Sequence, residues 1–230
     1  MAIAYLRAKL RRQRGFAAAL ISVQGARPIL SQPTIGVILA GGRSSRMGAE
    51  KALLALGGQP LIAHVAGRLR PQVDALFINA NGDPDRFAWL DCPVVADGAD
   101  VGAAGPLIGL RAAFAFAASR GFARLATAPC DAPFLPLELV ARLDAAMTAS
   151  GAPAAAAQGV SGLEPMFALW SLTAEREIAA ELANGGASPR GVLERLGADR
   201  VTFAADDDLF ANLNRPEDLA AAEARLNDPA

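Results

Sequence analysis

The chain has 230 residues, 53% of them hydrophobic and 20% charged, with a mean hydropathy of +0.27; this is enough apolar material for one domain with a real core and excludes a disordered polypeptide. Its 22 Lys and Arg against 23 Asp and Glu leave a formal charge of −1, which argues against nucleic acid as a partner. No apolar run of roughly 18 residues is free of charge or Gly/Pro breaks, so no membrane span is expected, and any anion site must be a local arrangement.

Residues 1–33 differ in composition from the rest. They carry Arg7, Lys9, Arg11, Arg12, Arg14 and Arg27 and no acidic residue. The basic start followed by the apolar Gly15–Val23 has the outline of a short signal peptide. A basic N-terminal extension, disordered or forming an added helix, is the reading preferred here. From residue 34 to residue 230 the pattern predicts one domain.

Within that domain short β-rich runs alternate with helical ones. Ile35–Leu39 reads as a buried strand, and Pro60 opens a helix through Arg70 with Leu61, Ile62, Val65 and Leu69 on one face. Strands follow at Ala75–Asn79 and Pro93–Ala96, a helix at Pro106–Ala118, a strand at Leu125–Ala128 and a helix at Pro136–Ser150. Further strands are expected at Ala154–Gln158, Met166–Trp170 and Val201–Phe203, and helices at Ala174–Asn184, Pro189–Leu196 and Pro216–Leu226. Such alternation implies right-handed crossovers and an α/β fold, a Rossmann-like, mostly parallel sheet flanked by helices. His64, in the apolar LIAHVAGRL, reads as a partly buried helix residue, and a single histidine with separated Cys92 and Cys130 leaves no zinc site. The two cysteines read as reduced thiols.

Ligands of open parallel sheets bind beyond the carboxyl ends of the strands. The loops there hold Gly41 and Gly42, Asn79 and Asn81, Asp97, and Asp131. The first of them, Leu39-Ala-Gly-Gly-Arg-Ser-Ser-Arg-Met-Gly-Ala-Glu-Lys51, joins close-approaching glycines to the cations Arg46 and Lys51, a combination that suits phosphate. It lacks the spacing of both the Walker loop and the Rossmann fingerprint. Asp131 at a strand end suits a hard divalent cation, or equally a turn cap before Pro133. Asn79 and the Asp97-Gly98 pair are also explicable as turn residues.

LAGGRSSRMGAEK matches LAGG-x-S-x-R-M-G-x-x-K, the signature of the pyrophosphorylase-like nucleotidyltransferases, and its second glycine resembles the molybdenum cofactor guanylyltransferases, where cytidylyltransferase relatives tend to read LAAG. The likeness continues in order through INAN at Ile78–Asn81, Asp97, GPLIGL at Gly105–Leu110, PCDAPFLP at Pro129–Pro136, EPMFAL at Glu164–Leu169 and NLNRPEDL at Asn212–Leu219. The resemblance implies transfer of GMP from GTP to the terminal phosphate of molybdopterin, with release of pyrophosphate and use of Mg2+. It assigns the nucleotide to Leu39, Ala40, Gly41, Gly42, Lys51, Asn79, Asp97 and Asp131, the catalytic charges to Arg46, Lys51 and Asp131, the metal to Asp131, and the pterin substrate to Asn212 and Asn214. Gly105, Leu107 and Gly109 are expected to shape the floor beside the ligand. Asn214-Arg-Pro-Glu217 also reads as a helix start, with Asn214 as cap and Glu217 three residues on. Arg215 departs from the threonine usual in the family, which bears on that cap more than on the reaction.

A reaction that draws on GTP and molybdopterin implies the cytoplasm, with a receiving molybdoenzyme or a cofactor-delivery protein as further partner. The alternatives are a CTP-dependent molybdopterin cytidylyltransferase or related sugar- or alcohol-phosphate nucleotidyltransferase, and a non-catalytic molybdopterin carrier.

Overall fold

The structure, a computed structural model, describes residues 28–41, 51–98, 105–203 and 209–227. In chain order its elements are β1 (Thr34–Leu39), the short hairpin β2 (Ala55–Leu56) and β3 (Gln59–Pro60), α1 (Leu61–Leu69), β4 (Ala75–Asn79), β5 (Val94–Val95), α2 (Pro106–Ser119), β6 (Arg124–Pro129), α3 (Leu139–Ser150), β7 (Ala154–Gly159), β8 (Gly162–Ser171), α4 (Glu175–Ala183), α5 (Pro189–Arg195), β9 (Asp199–Thr202) and α6 (Pro216–Asn227). The main sheet has the order β5-β4-β1-β6-β8-β7-β9. The pairs β1 with β4, β1 with β6, β4 with β5 and β7 with β9 are parallel; β8 runs antiparallel to both β6 and β7. The mostly parallel α/β sheet expected from the alternation is therefore present, with one reversed strand that the pattern did not announce. A strand's apolar alternation is the same in either direction, so the reversal is a tertiary fact.

Because side chains alternate across β1, its two faces feed two cores. Ile38 joins Ile62, Val65 and Leu69 of α1 and Leu143 and Met147 of α3 on one face. Val37 and Leu39 join Leu107, Leu110 and Phe114 of α2, with Ile178 of α4 and Val192 of α5, on the other. A third, smaller cluster of Leu56, Leu61, Phe134, Leu213 and Ala222 seats α6 against the hairpin.

Three local differences from the sequence reading have identifiable causes. Pro60 caps α1 from outside, at φ −57° and ψ 142°, so the helix begins at Leu61. α3 begins at Leu139 rather than Pro136: the buried Gln72 side chain accepts from Val140 N–H over 2.9 Å and donates to Pro136 C=O over 2.8 Å, capping the helix from a distant segment. Finally, β2 and β3 turn through Gly57 and Gly58, both at positive φ, and are too short to show a period. His64 ties α1 to this hairpin through Nε2 and Leu56 C=O, 2.8 Å apart, as suits a partly buried helix histidine.

Contacts with the domain reach back to Ser31, whose N–H and hydroxyl both donate to the Asp144 carboxylate over 2.9 Å. Arg124 pairs with the same carboxylate. Residues 1–27, and with them the basic cluster, lie outside the described residues. Among the described residues no helix is long and apolar enough to cross a membrane.

Candidate active site

β1 is the strand at which the order reverses, with β4 on one side and β6 on the other, and a crevice opens beyond the carboxyl ends at such a point. Gly41, Asn79, Asp97 and Asp131 sit at or just beyond the ends of β1, β4, β5 and β6. Together with Lys51 they line one cleft of about 200 Å3. The four strand-end loops selected from the sequence thus converge. Gly42 and Arg46 lie outside the described residues.

One end of the cleft is built from amides and a carboxylate. Asn79 is buried, 1% exposed, and its Nδ2 donates to Val95 C=O over 3.1 Å and to Asp97 Oδ1 over 2.9 Å. Both partners are pure acceptors, which fixes which end of the amide faces them. Asn81 grips the same residue twice: Nδ2 donates to Asp97 Oδ2 over 2.7 Å, and Oδ1 accepts from Asp97 N–H over 2.9 Å. Gly41 and Gly109 close over this group. A Cβ at Gly41 would stand 3.4 Å from Asn79 Oδ1, and a Cβ at Gly109 would stand only 2.3 Å from it. Glycine at 109 is therefore a packing requirement, although it lowers helix propensity. Gly105, at φ +107°, starts α2 against Ala187, where a Cβ would meet another at 2.9 Å. Leu107, in contrast, is fully buried in the core beneath α2 and does not line the cleft. Of the backbone groups at Leu39–Gly41, Ala40 N–H donates to Asn79 C=O over 2.8 Å, and Leu39 C=O accepts from Cys130 N–H over 3.1 Å.

The other end is charged. Lys51 Nζ donates to both Asp131 Oδ2 and Asn214 Oδ1. The loop bearing Asn214 is tied to this end by Leu213 N–H donating to Asp131 C=O over 3.0 Å. The sequence context also predicts Asn214 as the cap of α6, but its side chain does not take that place. Its carbonyl oxygen serves Lys51, its Nδ2 donates to Asn212 C=O over 3.2 Å, and the cap is supplied by Asp218, whose Oδ2 accepts from the N–H of Asn214 and of Arg215 over 2.8 Å each. Arg215 stands immediately before the helix and has no side-chain acceptor, so an acid one turn inside does the work, where the helix dipole also favours it. These two N–H groups hold the Asp218 carboxyl below its usual range. Asn212 itself is exposed.

Cys130 borders the cleft and is 6% exposed. Burial, reinforced by the neighbouring Asp131 charge and opposed by Lys51, pushes its thiol up to about 12, so it is a neutral wall and not a nucleophile at neutral pH. Both cysteines are free thiols. Partial burial also raises Glu164, against the pull of Arg190. Among the described residues no cluster of three or more His, Cys, Asp or Glu could cage a metal. At this end of the cleft the donor set is the Asp131 carboxylate with the Lys51 ammonium beside it. That is poor for zinc and fits a hard divalent ion that completes its shell with phosphate oxygens and water. The sequence reading had not anticipated the doubly bonded Asn81, the Asn214–Lys51 contact or the Cys130 and Met166 walls. Each of these positions carried a signal, Asn81 through its place in a strand-end loop and Cys130, Met166 and Asn214 through the blocks PCDAPFLP, EPMFAL and NLNRPEDL.

The profile of the MobA-like NTP transferase domain matches residues 36–201. A Molybdenum cofactor guanylyltransferase of Cereibacter sphaeroides is 47% identical over 196 residues, which is 85% of this chain and 98% of that protein. One from Yersinia pseudotuberculosis is 40% identical, over 81% of this chain and 94% of its own length. Among solved structures, molybdopterin-guanine dinucleotide biosynthesis protein A of Archaeoglobus fulgidus superposes with a TM-score of 0.63 at 25% identity, over 84% of this chain and 98% of that one. A 4-diphosphocytidyl-2C-methyl-D-erythritol synthase, 16% identical, shares the fold with a TM-score of 0.62 over 84% of this chain and 99% of its own.

Proposed function

The chain belongs to the MobA-like NTP transferase family and is a nucleotidyltransferase, and we propose that it transfers GMP from GTP to the terminal phosphate of molybdopterin. The observation that carries this reading is the one cleft in which an amide and carboxylate group, Asn79 with Asp97, and a lysine–carboxylate pair, Lys51 with Asp131, stand together beyond the strand ends.

The acceptor phosphate attacks the α-phosphorus of GTP; a P–O bond forms there, the bond from the α-phosphorus to the bridging oxygen breaks, and pyrophosphate leaves. A phosphate monoester, whose second pKa is about 6, is already ionised at neutral pH, so no general base is required, and His64 is not among the residues that line the cleft. What the reaction needs is alignment and neutralisation of crowded negative charge. Asp97 accepts from the N1–H and amino group of guanine, the Ala40 and Gly41 backbone approaches the nucleoside, and Lys51 meets the phosphates. Asp131 is the residue that would hold Mg2+. When bound, that ion withdraws charge from the reacting phosphates. Phosphate roles for Arg46 and Gly42, which lie outside the described residues, rest on the sequence signature alone, and Asn212 and Asn214 face the pterin. The names of the relatives weigh against the cytidylyltransferase and carrier alternatives. The reading implies a cytoplasmic enzyme that hands its product to a molybdoenzyme or a delivery protein.

The test is pyrophosphate release by the purified chain with molybdopterin and Mg2+, offered GTP, CTP, ATP or UTP in turn. Release with GTP alone is expected. Preference for CTP overturns the base assignment, and no release with any nucleotide overturns the catalytic reading. Lys51→Ala and Asp131→Ala are expected to remove most turnover with the fold intact; near-native turnover in either would refute its assigned role.

A further inference from the structure

None of the roles above uses Asn81, yet its side chain makes the reciprocal pair of hydrogen bonds to Asp97, one to the carboxylate and one to the backbone N–H. Gripping both parts of one residue fixes where the loop stands and how its carboxylate is turned. Exchanging the amide's oxygen and nitrogen would set an acceptor against a carboxylate and a donor against an N–H, so the orientation is unambiguous. Asn81 is itself held. Its C=O accepts from the Arg86 guanidinium over 2.9 Å, and Arg86 Nε donates to Asp83 C=O over 3.1 Å. The intervening Ala80 N–H donates to Val95 C=O over 3.0 Å, which pins the two asparagines to β5.

A carboxylate offers about four acceptor positions. Asn79 occupies one on Oδ1 and Asn81 one on Oδ2, so each oxygen of the carboxylate fork keeps an accepting position. Guanine presents two adjacent donors, N1–H and its 2-amino group, to such a fork; the Watson–Crick edges of adenine and cytosine set a single donor group beside an acceptor. The geometry points to Asn81 as a positioning residue that determines base specificity: it turns Asp97 so that both oxygens meet the guanine donor pair. The inference rests on the reading of Asp97 as the guanine contact. Without Asn81 the carboxylate keeps only the Asn79 bond and is free to swing, and the two-point grip becomes a one-point grip.

The experiment is isothermal titration of the full chain in Mg2+ buffer with GTP and with ITP, which lacks the 2-amino group, for wild type, Asn81→Ala, Asn81→Ser and Asp97→Ala. Wild type is expected to bind GTP at least about 10-fold more tightly than ITP, the scale of a hydrogen bond to a charged group. In Asn81→Ala the GTP affinity falls about 10-fold and ITP affinity changes far less, so the ratio collapses. Asn81→Ser, which keeps one donor, restores part of it. A general weakening of the fold would lower both affinities together. If Asn81→Ala and Asn81→Ser leave the GTP to ITP ratio at its wild-type value while Asp97→Ala abolishes it, Asn81 is not a positioning residue and the inference fails alone. If Asp97→Ala keeps the wild-type ratio, the guanine contact is elsewhere and the underlying reading fails with it.

Discussion

In a helix interior, alanine for glycine ordinarily stabilises by about 1 kcal/mol, but Gly109→Ala in α2 is expected to do the reverse. The new Cβ would stand 2.3 Å from Asn79 Oδ1 and 3.3 Å from both Asn79 Cγ and Asp97 Oδ1. Asn79 is buried at the end of a central strand and cannot move aside without losing its bonds to Val95 C=O and Asp97. Overpacking of this kind costs about 1–3 kcal/mol, and each buried hydrogen bond adds about 1 kcal/mol. After subtraction of the propensity gain the net loss is about 2–4 kcal/mol, a fall in Tm of about 4–16 °C for a domain of this size. Gly191, near the start of α5, is the control: a Cβ there meets its neighbours at 3.6–3.7 Å. Gly191→Ala should be neutral or stabilising by up to about 1 kcal/mol. Urea unfolding and GTP titration of the two variants decide the matter. A Gly109→Ala protein as stable as wild type with unchanged GTP affinity would refute the claim that this glycine is the seat of Asn79.

Three further outcomes are expected. Asp144→Ala leaves Arg124, 6% exposed, without its carboxylate and releases Ser31; chemical denaturation should register about 3–5 kcal/mol of lost stability, and a loss under about 1 kcal/mol would contradict the burial argument. The Asp218 carboxyl is depressed in the folded chain by the N–H groups of Asn214 and Arg215, so its contribution is present above the ordinary value of 3.8 and disappears as pH falls through the lower folded value. The Tm difference between wild type and Asp218→Asn should accordingly hold from pH 7 to about 4 and shrink only in stronger acid; shrinkage already at pH 5–6 would be inconsistent with it. With its thiol at about 12, Cys130 should resist iodoacetamide at pH 8 until the protein is unfolded. Peptide mass spectrometry after timed labelling checks this, and rapid native labelling would show that the site is more open than the packing implies.

Much of the scaffold was legible because each element is written locally. Ala75–Ile78 is apolar and β-prone between the polar Asp74 and Asn79, and the strand ends at Asn79. The run of alanines at Ala154–Ala157 forms a buried strand, where low side-chain volume is made up by Phe167 and Leu169 of the partner strand in the same core. The strand-end rule selected Gly41, Asn79, Asp97 and Asp131 before any resemblance was invoked, because in a parallel sheet the carboxyl ends all lie on one side. The cap of α6 escapes the sequence for the opposite reason: Asn214 is locally an ideal capping residue, and only the arrival of Lys51 from a distant segment gives its side-chain oxygen another partner.

The sequence by itself therefore determined the order of strands and helices, the phosphate-type loop and the family signature, all of which depend on neighbours a few residues apart. The tertiary structure decided the reversal of β8, the capping of α3 by Gln72, the seating of Asn79 on Gly109 and the grip of Asn81 on Asp97. Those are encounters between segments far apart in the chain. Propensity and periodicity carry no record of them, because a side chain's hydrogen-bonding capacity is a property of the residue, whereas its partner is a property of the packed fold.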